Sequence, residues 1–178
     1  MYAVNQLPKR DVKTSPTGCC PEFKPDDWDG RIFRFDNKLF MKVTTRSILH
    51  MPLNMDSVMR QAMQTIEAAG ASQDDEYIML SDDVSPWKAE HYISVDKEIP
   101  GTEIVRLSGV YLAKVFEGPF KNAGIWHKQL VEYVKSRGAK LIKIYFSYTT
   151  CPRCAKIYGK NYVVGFAQIE KEVSHDVQ

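Results

Sequence analysis

The chain has 178 residues, enough for one substantial core, and 44% of them are hydrophobic, which argues against global disorder. Its 24 Lys and Arg residues nearly balance 22 Asp and Glu residues, so no basic field indicates direct nucleic-acid binding. No apolar run approaches the ~20 residues needed to cross a bilayer. No apolar segment of the secretory type follows the first charges. We therefore expect a cytoplasmic protein without a membrane partner; the composition does not indicate an oligomeric state.

The ends of the chain differ in composition from its middle. Residues 1–37 are polar and punctuated by proline, which indicates an N-terminal arm, and this arm carries the adjacent cysteines Cys19 and Cys20. Residues 171–178 are polar and predict a frayed tail. Residues 38–170 between them are expected to form a single domain.

The first half of the domain, residues 38–97, predicts a strand, a helix and two more strands. The apolar, β-branched stretch of residues 38–52 is typical of a long strand. Asn54 or Asp56 is suited to cap a helix that ends at Gly70. The apolar side of this helix repeats at helical spacing and comprises Met55, Val58, Met59, Ala62, Met63, Ile66 and Ala69. "EYIMLS" and "EHYISV" predict the two following strands.

The second half, residues 102–170, repeats this order. "TEIVRLSGVYLAKVFEGPF" predicts a long strand, Asn122 a helix cap and Gly138 a helix end, and "KLIKIYFSY" and "NYVVGFAQI" predict the last two strands. The cap and the end are 16 positions apart in both halves. We therefore predict an α+β fold in which a duplicated β-α-β-β unit forms one antiparallel sheet with two helices on one face. The other face of the sheet is expected to remain open as a concave surface.

The second half also resembles a known superfamily. A Gly-x-Tyr strand, a Glu-Gly-Pro-aromatic motif and a helix that ends in glycine are similar to the GyrI-like small-molecule-binding superfamily, here as Gly109, Tyr111, Phe116, Glu117, Gly118, Pro119, Phe120 and Gly138. "TGCCPEFKPDDWDG", "HMPLNM" and "TTCPRCAKIYGKNYVV" resemble a stand-alone bacterial group of that superfamily that is often labelled hydrolase. The resemblance implies the duplicated fold and a small-molecule cleft. The drug-sensing members usually carry a glutamate on the last strand, where this chain has Gly165 and Phe166.

The junction of the two halves is the predicted ligand site. Its expected walls are aromatic rings with polar edges, which bury much area and keep a hydrogen-bonding group, namely Trp87, Tyr92, Tyr111, Tyr145 and Tyr148. Each ring has an alternative role in ordinary core packing.

Glu117 and His50 are the polar candidates for the same cleft. They occupy equivalent places before Pro119 and Pro52, and a histidine beside a carboxylate is able to act as an acid–base pair on a bound water. The alternative is that each only forms hydrogen bonds with a backbone turn. Glu117 is also a candidate ligand-binding residue.

Four cysteines form the second candidate site. Cys151 and Cys154 are separated by two residues, a spacing that lets both thiolates reach one metal ion. Cys19 and Cys20 converge on the same ion only if the chain bends before Pro21. Four thiolates predict a closed, structural zinc site, with iron as the second choice. A disulfide or redox pair and free thiols are the alternatives.

Three functions are compatible with these features. The first is a stand-alone protein that binds or sequesters a largely apolar aromatic compound in the cleft. The second is a hydrolase that acts on such a compound through water activated by Glu117 or His50. The third is an interaction module in which the arm and the Cys-Pro-Arg-Cys site present a surface to a partner protein.

Overall fold

The computed structural model of the protein describes residues 3–11, 13, 15–73 and 75–170. The remaining residues of the arm and the whole predicted tail, residues 171–178, lie outside the described residues. The described chain has seven strands, β1 to β7, at Ile32–Ile48, Met51–Pro52, Met79–Ser85, Lys88–Ser94, Glu103–Glu117, Leu141–Tyr148 and Tyr162–Ile169. It has three α-helices, α1 to α3, at Met55–Ala68, Ala123–Ser136 and Pro152–Tyr158.

The two long helices begin where the sequence predicts. Asn54 and Asn122 are the N-cap residues of α1 and α2, but neither side chain makes a capping hydrogen bond. The Asn54 side chain instead accepts a hydrogen bond from the backbone N–H of Arg46 at 2.8 Å, which fastens the start of α1 to β1. Gly70 and Gly138, which follow the helix ends, have φ angles of 59° and 68°, a conformation that favours glycine.

The first strand and the Cys-Pro-Arg-Cys loop differ from the prediction. β1 begins at Ile32, inside the segment predicted as arm, and its C-terminal end turns into β2 at Leu49 and His50, which both have positive φ angles. The loop between β6 and β7 contains the short helix α3. Pro152 occupies its first turn, where a missing backbone N–H costs nothing, and Gly159 ends it with φ of 70°.

The sheet is antiparallel and closes on itself, and this closure was not predicted. Its strand order is β2-β1-β4-β3-β6-β7-β5, and β5 also pairs with β1, from Ile32 opposite Leu112 to Lys42 opposite Glu103. The expected open concave face is therefore the inside of a barrel-like sheet. The coarse prediction of an α+β fold with one antiparallel sheet is confirmed, and the internal duplication stays a prediction.

Both long helices pack against the outer face of the closed sheet. α1 contributes Ala62 and Ile66 to one apolar cluster with Met41 and Ile93. α2 contributes its own cluster, formed by Trp126, Leu130 and Val134 with β5 and β7 residues such as Leu112 and Ala167. Among the described helices, none is long and apolar enough to span a membrane.

A buried histidine joins three strands on the outer side. His91 Nε2 lies 2.9 Å from Thr45 Oγ1, and His91 Nδ1 lies 2.8 Å from Ser81 Oγ. The ring is only 4% exposed, and burial lowers the pKa of His91 to about 4. His91 is therefore neutral in the folded protein near pH 7.

We predict that the free energy of unfolding falls as the pH is lowered from about 6.5 to 4. Over that range the unfolded chain protonates His91 while the folded chain does not, so protons favour unfolding. A shift of this size corresponds to about 3 kcal/mol when it is fully expressed. Urea denaturation at pH 4 to 7.5 measures the effect.

His91→Gln is the matched variant, because its amide keeps hydrogen-bonding groups but does not titrate. Its free energy of unfolding is expected to depend less on pH over the same range. An equal pH dependence in both proteins would contradict the assignment.

Candidate functional site

The inner face of the sheet brings together three of the five predicted rings. Tyr92, Tyr111 and Tyr145 come from β4, β5 and β6, and all three are buried. The centroid of Tyr145 lies 5.7 Å from that of Tyr92, edge to face, and 6.5 Å from that of Tyr111. The structure therefore places a group of tyrosines from both predicted halves around one point.

One hydroxyl in this group has no hydrogen-bonding partner among the described residues. The Tyr111 hydroxyl is buried and unpaired, and burial raises the pKa of Tyr111, so the group remains a neutral O–H. Such a group carries a free-energy cost until a ligand or water pairs with it. It provides a polar contact for a molecule held among the rings.

Glu90 is a polar residue of the inner face that the sequence analysis missed. Tyr92 donates a hydrogen bond to Glu90 at 2.9 Å, and the Glu90 carboxylate also meets the ammonium groups of Lys88 at 2.9 Å and Lys42 at 3.6 Å. The hydrogen bond from Lys88, followed by that from Tyr92, lowers the pKa of Glu90 to about 2. Its position two residues before Tyr92 on a strand was the signal, because such residues share a face.

A second ion pair lies beside Tyr145. Lys143 Nζ is 2.7 Å from Asp82 Oδ2 and 4.9 Å from the centroid of the Tyr145 ring. The tyrosine group is therefore bordered by charges of both signs that are already paired with each other.

The arm fills the inside of the sheet. Leu7, Phe23 and Trp28 belong to the same buried cluster as the three tyrosines. The Trp28 ring centroid lies 5.4 Å from that of Phe33 and 6.0 Å from that of Phe166 on the last strand. The cleft that the sequence predicts as open is occupied by this segment, because a closed sheet leaves apolar inner residues that need a cover.

Arg10 forms part of this cover. Its guanidinium lies 5.4 Å from the Trp28 ring centroid and 6.0 Å from that of Phe23, and its Nε is buried without a hydrogen-bonding partner among the described residues. Burial lowers the pKa of Arg10. A cavity of about 660 Å³ lies between parts of the arm and is lined mostly by charged side chains. It is not at the predicted junction of the halves.

Trp87 and Tyr148 lie apart from the inner rings. Trp87 is 61% exposed in the turn between β3 and β4, and this turn meets the end of β1 through backbone hydrogen bonds from Ser47 to Trp87 and from His50 to Pro86. Tyr148 packs with the outer, α2-side cluster, and its ring centroid lies 5.3 Å from that of Phe120. The structure does not bring these two rings to the tyrosine group.

The structure separates His50 from Glu117. Because β5 runs antiparallel to β1, Glu117 lies beyond the start of β1, whereas His50 follows its end. The predicted pair is therefore not formed, since the equivalence of the two positions in the sequence does not make them neighbours in a closed sheet. His50 Nδ1 instead lies 2.5 Å from Asp83 Oδ2, with both side chains about half exposed. Catalytic roles for His50 and Glu117 stay predictions.

The four cysteines meet in space. The sulfur atoms of Cys19, Cys20, Cys151 and Cys154 all lie within 4.8 Å of one another, and none forms a disulfide. Gly18, with φ of 63°, precedes a bend at the adjacent pair that turns both sulfurs to the same side. The set joins the arm to the loop that contains α3.

Neighbouring groups position these sulfurs. The backbone N–H of Cys151 donates to Cys20 Sγ at 3.4 Å, and the Tyr158 hydroxyl donates to the carbonyl oxygen of Cys20 at 2.5 Å. The hydrogen bond between Cys154 Sγ and Thr17 Oγ1, 3.4 Å long, lowers the pKa of Cys154 to about 6, whereas burial raises the pKa of Cys20. Cys154 is thus stabilised as a thiolate, the form that binds a metal.

The arrangement fits a metal ion. Zinc–sulfur bonds of ~2.3 Å in a tetrahedron place sulfurs roughly 3.8 Å apart, which is close to the separations in this cluster. Cys19 Sγ and Cys20 Sγ are already 3.7 Å apart. Four cysteines are therefore close enough to hold a metal ion, and the identity of that metal is a separate question.

Comparisons with known proteins place the chain in a family. The model of a family described as "Bacterial hydrolase" matches residues 10–169. One solved structure that the fold resembles is that of SAV2435 bound to tetraphenylphosphonium, with a TM-score of 0.49 and 12% identity, over 82% of this chain and 96% of that chain. Comparison with the curated proteins finds no match. The family model spans most of the chain, so the chain belongs to the family described as Bacterial hydrolase, which confirms the resemblance to a bacterial group labelled hydrolase.

Proposed function

We propose that this protein is a stand-alone binding protein for a largely apolar aromatic small molecule, which it holds on the inner face of its sheet. The observation that carries the proposal is the group formed by Tyr92, Tyr111 and Tyr145, with the buried, unpaired hydroxyl of Tyr111. Aromatic walls supply most of the binding free energy, and a few polar groups orient the ligand. Glu90, which accepts a hydrogen bond from Tyr92, supplies an acidic contact for the ligand.

The proposed site lies between two β-α-β-β halves. Tyr92 belongs to the first half, and Tyr111 and Tyr145 belong to the second. The halves meet along the long pairing of β1 with β5 and at a single described pair of β3 with β6, Ser81 opposite Phe146. The β3–β6 contact is therefore the shorter of the two junctions between the halves.

We predict that Tyr145→Leu weakens binding of aromatic probes at least tenfold. The Tyr145 ring contacts both other tyrosines, so its loss removes the centre of the group. Tetraphenylphosphonium and 1-anilinonaphthalene-8-sulfonate, one cationic and one anionic, serve as probes. Isothermal titration calorimetry measures their dissociation constants.

Tyr148→Leu is the matched control, because it removes the same ring from the outer face of the neighbouring part of β6. We expect this variant to bind the probes with wild-type affinity. An equal loss in both variants, or no binding of either probe to the reduced, metal-free wild type, would refute the proposed site.

A hydrolase is the second candidate, and the contact between His50 and Asp83 favours it. A carboxylate that accepts from Nδ1 holds the imidazole with Nε2 free to accept a proton from water. Asp83 takes the part first expected of Glu117, and the exposed ring of Trp87 lies nearby for an aromatic substrate. Turnover of an aromatic ester that His50→Gln abolishes, while Glu117→Gln retains it, would support this alternative.

We further propose that the cysteines hold a structural zinc ion in a reducing cytoplasm. Four protein ligands leave no open position for water, so the ion stabilises the fold and takes no part in catalysis. Iron in a four-cysteine site is the second choice. The convergence of all four sulfurs within 4.8 Å of one another supports a metal over a redox pair, which needs only two of them.

We predict that the protein, purified without a metal-binding tag, contains about one equivalent of zinc. Cys154→Ser and Cys20→Ser are expected to lose it, with a lower melting temperature, because binding to the folded chain alone adds stability. Elemental analysis and thermal denaturation measure the two effects. Thr150→Ser, beside the site, is the control and is expected to keep the metal.

Metal-free protein in which four thiols react with Ellman's reagent would contradict the proposal for zinc. A reddish protein with about one equivalent of iron would favour the second choice.

A further inference from the structure

We infer that the four-cysteine site controls access to the tyrosine group: a bound metal holds the described part of the arm, residues 3–11 and 15–22, over the inner face, and loss of the metal releases it. This inference rests on the proposed binding of an aromatic ligand at that face. It adds a regulation that neither the family nor the site chemistry by itself implies.

The order of residues along the arm shows why the cysteines are able to hold the covering segment in place. Leu7 and Arg10, which cover the inner cluster, come before Cys19 and Cys20 in the chain. After the cysteine pair, the chain is soon fixed to the sheet, since the backbone of Gly30 donates to Ala113 at 3.0 Å. The covering segment is therefore anchored at one end by the sheet and held in place by the cysteines.

Besides the burial of Leu7, this segment is joined to the rest of the chain by hydrogen bonds, including one of 3.0 Å from the Lys38 ammonium to the Asn5 carbonyl. Asn5 exchanges hydrogen bonds of 2.8 Å with the backbone of Arg34 and Asp36 at the bulge of β1. Arg10 N–H donates to the carbonyl of Asp75 at 2.7 Å. Such exposed hydrogen bonds contribute little net free energy, because water makes equivalent ones. A four-thiolate metal site is a much stronger connection.

The covered state leaves no room for a ligand at the tyrosine group. Leu7 is 2% exposed and Tyr111 is 0% exposed, and both belong to the same packed cluster. Protein interiors of this kind are close-packed, so a ring-sized molecule enters only when the covering segment leaves. Metal binding and ligand binding are therefore expected to oppose each other.

Opposition of two ligands is reciprocal. If zinc weakens the binding of an aromatic molecule by a given factor, that molecule weakens the binding of zinc by the same factor. The two factors are measured in independent experiments, which makes the coupling testable on the full chain.

The test uses tetraphenylphosphonium as the probe and zinc as the metal. We expect the dissociation constant of the probe to be at least tenfold lower for the reduced, metal-free protein than for the zinc-loaded protein. A saturating probe is expected to weaken zinc by a matching factor, measured by competition with a chromogenic chelator. Equal probe affinity in the two states would overturn the inference and leave the proposed binding site intact.

The variant Leu7→Ala tests the effect of the covering segment independently of metal binding. This variant keeps all four cysteines, so its zinc content is expected to remain about one equivalent. Its zinc-loaded form is expected to bind the probe more tightly than the zinc-loaded wild type, because the covering segment loses the free energy of burying Leu7 and leaves the inner face more readily. Unchanged affinity in this variant would contradict the role of the arm as a cover.

Hydrogen exchange tests the arm without any ligand. The amides of Asn5 and Arg10, which are bonded to Arg34 and Asp75, are expected to exchange at least tenfold faster after zinc removal, whereas the amides of β7 keep their protection. Unchanged arm protection would overturn the inference. If the probe binds neither the zinc-loaded nor the metal-free protein, while the amides of the arm exchange faster without zinc, the proposed function is refuted. The role of the cysteines would then be only to hold the arm in place.

Discussion

The antiparallel pairing of β1 with β5 is the constraint on which the rest of the structure depends. It joins the first strand of each predicted half and converts an open sheet into a closed one. A closed sheet has an inside, and its strands are buried on both faces wherever helices cover the outside. β7 shows the consequence: Val163, Gly165 and Ala167 face the α2 cluster or its neighbours, Val164 and Phe166 face inward, and all five are buried.

The apolar inner face of the sheet needs other apolar side chains to pack against it, and the arm supplies them. Ordering a residue costs roughly 1–2 kcal/mol in backbone entropy, whereas a single exposed hydrogen bond returns about 1 kcal/mol. Burial of Leu7 and Trp28 recovers part of this cost, at about 1.5–3 kcal/mol for a large apolar side chain. A segment held mainly by such contacts is marginal, so the cysteines that join it to α3 have a large influence on whether it stays in place.

The features that could be predicted from the sequence are those that depend on local chemistry. Gly70 and Gly138 mark the helix ends because the left-handed conformation restricts residue type at single positions, and Asn54 and Asn122 occupy the N-cap positions although their side chains do not cap. The cysteine cluster was also within reach, because a gap of two residues between Cys151 and Cys154 is typical of a pair of metal ligands. Closure of the sheet could not be predicted, because the alternation of apolar and polar residues along a strand does not indicate which other strand it pairs with.

The same limit explains which of the predicted site residues lie together on the inner face and which lie elsewhere. Tyr92, Tyr111 and Tyr145 meet because strand alternation puts them on the inner face, and Glu90 follows from the same alternation. Trp87 and His50 lie in turns, where no period applies, and their neighbours are set by how far one hairpin extends past another. His50 consequently meets Asp83 of β3 in the adjoining hairpin, whereas Glu117 ends β5 at the far side of the sheet. The alternation of a regular strand determines which face of the sheet a side chain lies on. The neighbours of a residue in a turn depend instead on how the sheet closes, which is seen only in the folded chain.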